Sequence, residues 1–352
     1  MNHELVTRQN TRNGELTTVC AIALSLLMTL SASTVLAQSG SNFTLPRTSW
    51  GSPDLQGVWT NNTITPLVRP EQFEQLTLTR DEAIELETLI AEFSAQQDLP
   101  SDPDRPPPDK DRIDLADSYN NFWFDDGTQV AVFNGEYRSS LLVDPPNGQL
   151  PDYTTQAQAR IEQQRTQRNQ RGAFIGPESR PLAERCLLAF GSSSGPPMLP
   201  VLYNNNYQIV QSPGYVMVLI EMVHDARIIR IGGEFTPAVI TPWMGDSIGH
   251  WEGDTLVVET RRFNPSQRFR NSSENMVITE RFQRVADDSL NYTVTVQDPE
   301  TFVSDFTAEI PMKTTTDRLY EYACHEGNYS LPGVLAGARR DEVEQDSNAP
   351  TP

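Results

Sequence analysis

The residues best equipped for chemistry in this chain are few, and they stand beside strand-like segments. YACHEGNY sets Cys324, His325 and Glu326 side by side, in a sequence with only three cysteines and four histidines. His224 follows an apolar run in EMVHDARIIRI, and His250 precedes another in GHWEGDTLVVET. Each has a carboxylate close by in sequence: Asp225, Glu252 and Glu326. Imidazole is the side chain that takes and returns protons near neutrality. Two chemistries therefore fit. In the first, His224 is a general base oriented by Asp225, and His325 or Glu326 supplies the proton. In the second, His224, His250 and His325 hold a divalent metal such as zinc, with an open position for a water that Glu326 activates. The spacing matches no compact metal motif, since HExxH, CxxC and His-x-His do not occur. Trp251, Tyr320, Tyr322 and Arg227 are the candidate substrate contacts, the aromatics for an apolar body and the arginine for an anionic group. The remaining reading is that each imidazole simply satisfies a turn. GSSSG at 191–195 spells Gly-x-Ser-x-Gly, but no strand–turn–helix pattern surrounds it, so it does not predict a hydrolase elbow.

Those residues need a rigid scaffold. From Tyr207 onward the apolar period is two: LNYTVTVQ alternates Leu290, Tyr292, Val294 and Val296 with polar neighbours, and TFVSDFTAEI does the same with Phe302, Ser304, Phe306, Ala308 and Ile310 on one side. MVITERFQRV, TLVVETRRF and DRLYEYAC follow suit, with EGD and ADDS as tight turns. YVMVLIEMV is apolar throughout, as in a strand covered on both faces. The expected fold is mainly β, an antiparallel meander forming a barrel or strongly curved sheet, with N-terminal helices and long loops. One helix is TRDEAIELETLIAEFSAQ, opened by a Thr79/Glu82 capping box, with Ala83, Leu86, Ile90 and Phe93 at helical spacing. A second, TTQAQARIEQQRTQRNQRG, is almost wholly polar and reads as a solvated face or a contact surface. DLPSDPDRPPPDKDR between them is a Pro-rich surface loop.

Compartment follows from the first residues. Arg8 and Arg12, the apolar run VCAIALSLLMTL and a small-residue site after Ala37 make residues 1–37 a signal peptide. No later run suits a membrane span, which needs ~20 apolar residues. The domain plan is a signal at 1–37, a linker at 38–52, a single β-rich domain at 53–340 with a helical and loop insertion at about 79–200, and a disordered tail at 341–352. Location is periplasmic or secreted. Cleavage removes Cys20 and His3, and leaves Cys186 and Cys324, which in an oxidising compartment predict a disulfide. A formal charge of −20 argues against nucleic acid and against anionic membranes as partners.

PDLQGVWTNN, ERCLLAFG, PGYVMVLIEMVHDARIIRI, WMGDSIGHWEGDTLVVET, SSENMVITERF and YEYACHEGNY together resemble a broad family of exported bacterial proteins, and the resemblance covers most of the mature chain. It implies export and assigns no catalyst. Gly57-x-Trp59 on a first strand, with the later meander, resembles lipocalin-like (calycin) barrels. That resemblance implies a small apolar or aromatic ligand, either turned over or simply carried. A third possibility is an interaction module of the cell envelope that uses the polar helix.

Overall fold

The structure is a computed structural model that describes residues 43–97, 124–125, 127–190, 195–267 and 269–348. The signal segment and the Pro-rich loop lie outside the described residues. The described residues form thirteen strands: β1 (Gly57–Thr60), β2 (Thr77–Leu78), β3 (Val132–Phe133), β4 (Glu136–Arg138), β5 (Leu142–Asp144), β6 (Asn206–Ser212), β7 (Tyr215–Ile220), β8 (Asp225–Ile231), β9 (Asp246–Glu252), β10 (Thr255–Arg261), β11 (Val277–Ala286), β12 (Ser289–Gln297) and β13 (Phe306–Thr314). β1 and β6 through β13 run side by side in that order, and β13 returns to β1 through Trp59↔Thr314 and Thr60↔Lys313. The sheet is thus a closed nine-stranded barrel, as the alternation predicted. β5 pairs with the other half of β13, opposite Thr307 and Ala308. β2, β3 and β4 form a small separate sheet.

Side chains of one parity fill the interior. Leu290, Tyr292, Val294 and Val296 of β12 and Phe306, Ala308, Ile310 and Met312 of β13 are all buried, because successive residues of a strand point to opposite faces. Trp59 and Tyr207 are fully buried against them. Outside the barrel lie α1 (Arg80–Gln97), α2 (Thr155–Arg171), α3 (Cys324–Gly327) and α4 (Ser330–Asn348). The capping box forms as expected: Thr79 N donates to Glu82 Oε2 at 2.8 Å, and Glu82 N to Thr79 Oγ1 at 3.3 Å. Ala83 and Leu86 seat α1 on a satellite core with Leu78 and Val130, whereas Phe93 stays exposed.

Four details differ from the sequence-based expectation, the first being that DRLYEYAC forms no strand: residues 317–323 are irregular and lead into α3. β8 and β9 are parallel, with Ile229↔Ser247 and Ile231↔Gly249 in register, so the meander is broken once. A parallel pair needs a crossover of a dozen or more residues, and residues 232–245 supply it. β7 is not covered on both faces: Val216, Val218 and Ile220 are buried, while Tyr215 is exposed. The chain from 341 to 348 is helical rather than a disordered tail.

Inside the barrel the apolar packing is interrupted by one ion pair. Arg227 of β8 and Glu280 of β11 face each other at 2% and 0% side-chain exposure. Arg227 Nη1 donates to Glu280 Oε1 at 2.8 Å, Nη2 also reaches Glu280 Oε2, Nε donates to Ser247 Oγ at 3.0 Å and Nη2 to Thr260 Oγ1 at 3.1 Å. Tyr292 donates its hydroxyl to Glu280 Oε1 at 2.9 Å and accepts Met198 N at 3.1 Å. Burial in this network raises the Tyr292 pKa well above its ordinary value. Arg227 therefore cannot be the substrate contact that the sequence suggested. A lone charge left inside such a core costs about 3–5 kcal/mol, while an apolar pair of similar volume is often tolerated. Glu280→Gln should lower stability by about that amount, and the double change Arg227→Met with Glu280→Leu should recover at least half of it. Urea denaturation of the three proteins measures both.

Candidate functional site at the loop rim

The barrel has two unlike rims. At one, tight turns at 213–214, 253–254 and 287–288 join neighbouring strands; at the other, longer connections cover the opening. The register of β8 and β9 sorts the histidines between them. His224 directly precedes β8, whereas His250 lies one residue beyond the partner of Ile231. The two are separated by about 25 Å, at ~3.3 Å per residue. His250 is 61% exposed and bonds Glu252 at 3.1 Å, and Glu252 in turn pairs with Arg281 at 2.8 Å. It is a surface residue of the hairpin rim. Trp251 is its neighbour there and does not share a site with Tyr320 or Tyr322.

The three imidazoles thus do not converge, and the three-histidine ligand set is not assembled. Among the described residues no group of three or more His, Cys, Asp and Glu side chains is placed to hold a metal ion. The reason is the parallel crossover, which sends β9 in the same direction as β8 and so leaves the two histidines at opposite strand ends.

What does converge lies at the loop rim. Cys186 and Cys324 form a disulfide with Cα atoms 5.7 Å apart, as expected. The bridge brings the segment 320–328 against the connection between β7 and β8. Tyr320 N donates to Glu221 Oε1 at 3.2 Å, and Asn206 Nδ2 donates to Oε2 at 2.9 Å, so a buried carboxylate anchors the returning chain. His224 Nδ1 lies 2.7 Å from the carbonyl oxygen of Tyr322. A carbonyl only accepts, so this bond requires the proton on Nδ1. The neutral ring then carries its lone pair on Nε2, and the side chain is exposed.

The backbone that presents this ring is strained. Val223 (φ 66°) and His224 (φ 45°) are consecutive non-glycine residues in the left-handed region, a conformation that is unusual for a β-branched valine and costs about 1–3 kcal/mol per residue. Burial of Met222 and Val223 and the bond from His224 N to Glu221 O hold it in place.

Asp225 does not bond the imidazole. Its carboxylate accepts its own neighbour's Ala226 N at 3.0 Å and borders an apolar recess with Leu188, Ala189, Ile220, Met222 and Met244. Burial raises the Asp225 pKa; the Ala226 amide and the charge of His224 oppose this less strongly. Gly195 also lines the recess, and a Cβ there would fall 2.3 Å from Ile220 Cδ1, so a larger residue would require the Ile220 side chain to shift. The recess is partly open to solvent and holds about 10 Å³ of free space, room for about one water molecule.

Tyr322 is half-buried against the core, its pKa raised by burial and opposed by a bond with Tyr203. Tyr203 meets Phe190 edge to face at 6.3 Å. Tyr320, His325 and Glu326 are exposed nearby in the chain. Tyr203, Met222 and Met244 were not singled out from the sequence, because they come from three separate loops and carry no motif. No protein-family model matches this chain, and no curated protein does.

Two outcomes test this geometry. Replacing both bridging cysteines by alanine releases a closed loop of 138 residues, which should lower stability by roughly 4–5 kcal/mol. It should also abolish the Nδ1-protonated signature of His224 in nitrogen-15 NMR. For Asp225, a folded pKa above the unfolded value means that its stabilising contribution is complete below about pH 4 and is lost as pH rises through the folded pKa. Asp225→Asn should therefore melt higher than the parent at pH 7, with the gap closing below about pH 4, as thermal denaturation across pH would show.

Proposed function

We propose that the protein is an exported acid–base enzyme acting on a small apolar or aromatic molecule at the loop rim of the barrel, by elimination, isomerisation, hydration or cyclisation. His224 Nε2 removes a proton from the substrate, and the Asp225 carboxyl, whose pKa burial raises, returns one. The single observation that carries this reading is the bond between His224 Nδ1 and the Tyr322 carbonyl. It orients the ring and fixes its tautomer, the task that the sequence-based reading gave to Asp225. A carboxyl of raised pKa beside a fixed imidazole separates acid from base within one site. Tyr322, Tyr320 and Tyr203 offer aromatic surface for the substrate. Export is supported by the disulfide, which persists in oxidising compartments, and by the resemblance of the first residues to a signal peptide. A metal at this rim would need ligands other than the three histidines together.

A side-chain-filled interior favours one further reading, an interaction module of the envelope with α2 as its contact face. Turnover separates the two. A panel of ketones, enones and aryl esters with acidic C–H bonds, incubated with the protein in D2O and read by mass spectrometry, should show deuterium uptake into at least one compound. His224→Gln should reduce that uptake about 10²–10⁴-fold. Uptake that is absent across the panel, or equal in the variant, ends the enzyme reading in favour of the module.

A further inference from the structure

Nine buried side-chain nitrogen or oxygen atoms lack a hydrogen-bond partner among the described residues, and four of them gather at one turn: Gln267 Nε2, Arg270 Nε, Ser272 Oγ and Arg160 Nε from α2. The turn belongs to the connection between β10 and β11, on the loop rim. Hydrogen bonds tie these residues together. Arg160 Nη2 donates to Asn271 O at 3.0 Å and to Thr301 Oγ1 at 2.6 Å. Tyr153 donates its hydroxyl to Arg270 O at 3.2 Å and accepts Asn271 Nδ2 at 3.1 Å. Gln267 Oε1 accepts Phe269 N at 3.3 Å, and Ser272 N donates to Phe269 O at 2.9 Å. Gln267 and Ser272 are 4% and 1% exposed, so their unused groups have no recourse to bulk water.

The chemistry of the four atoms is one-sided. Three can only donate, and the serine hydroxyl can donate as well. Arg160 spends its bonds on neutral oxygens. Burial lowers the Arg270 pKa, and the titratable neighbour acting on it is Tyr153 rather than a carboxylate. The nearby acids are engaged elsewhere: Asp298 accepts Ser273 N at 2.5 Å and Ser273 Oγ at 2.9 Å, and Glu300 accepts Asn275 Nδ2 at 2.8 Å. Arg270 (φ 48°) and Asn271 (φ 60°) are consecutive left-handed residues, a strained turn of the kind found at ligand sites.

We propose that Arg160 and Arg270, with Gln267 and Ser272, form a binding site for a small oxyanion of carboxylate or phosphate type. The oxygens of such a group accept from guanidinium donors through short charge-assisted bonds, and the amide and hydroxyl complete its shell. The site is separate from His224 and does not depend on the acid–base reading.

Inorganic phosphate and acetate, each titrated against sodium chloride of equal ionic strength, test the site on the full mature protein by calorimetry and thermal denaturation. Saturable binding of either anion with a rise in melting temperature is expected, and the anion that binds more tightly assigns the phosphate or carboxylate class. Arg160→Gln and Arg270→Gln should each weaken binding at least about tenfold. Ser272→Ala should weaken it less, and Arg165→Gln, an exposed change on the same helix, should leave it unaltered. Phosphorus-31 line broadening on the unaltered protein gives a readout should a variant fail to fold. Absence of saturation by both anions, or binding that is indifferent to both arginine changes, overturns the proposal.

Discussion

The buried pair of Arg227 and Glu280 is the constraint around which the barrel is organised. Two charges in an apolar interior are tolerable only when nearly every donor and acceptor finds a partner, and these partners come from separate strands. β8 supplies the arginine, β11 the glutamate, β9 and β10 the hydroxyls of Ser247 and Thr260, and β12 the phenol of Tyr292. A one-residue slip in any of these strands would turn its member outward and strand the others. The network thus fixes register across five neighbouring strands. Through Tyr292 and Met198 it also draws the loop at 195–200 into the barrel end. The apolar residues around it supply burial; the ion pair supplies uniqueness.

Much of this was readable in the residues. Alternation located the inward faces from Leu290 to Val296 and from Phe306 to Ile310, because a closed sheet buries one parity and wets the other; Ser304, assigned to the same side, is exposed ahead of β13. The first helix was marked by Thr79 with Glu82; the second starts after Thr154, whose hydroxyl accepts Ala157 N at 3.0 Å, a cap that the sequence analysis did not identify. The cysteine pair followed from simple parity. The parallel step from β8 to β9 was not readable: Gly232-Gly233 announces a turn but not its direction, and direction is decided by where the crossover packs. Arg227 and Glu280 each occupy an inward position in DARIIRI and ITERF, and two opposite charges at such positions are the signal that could have identified the pair in advance.

The candidate site divides along the same line. The nearness of His224 to Tyr322 depends on a disulfide and on Glu221, both long-range in sequence, so the local motif His-Asp does not show which group bonds the imidazole. Asp225 borders the apolar recess at the start of β8, while His224 bonds Tyr322 from the strained turn just before it. The carbonyl that orients the ring has no sequence signature at all, since any residue carries one. His250 shares the residue type but not the location, and its pairing with Glu252 is that of an ordinary exposed hairpin.

The seam between β1 and β13 joins residue 59 to residue 314, and this has a consequence for the order of events in the life of the chain. A cylinder of strands has no finished intermediate form: until the last strand arrives, β12 and β1 each present a bare row of amides and carbonyls. Nearly the whole polypeptide must therefore be available before the wall is complete, and contacts so distant in sequence form slowly. Such a protein stays pliable until its first and last barrel strands meet, and becomes rigid only once that seam is joined.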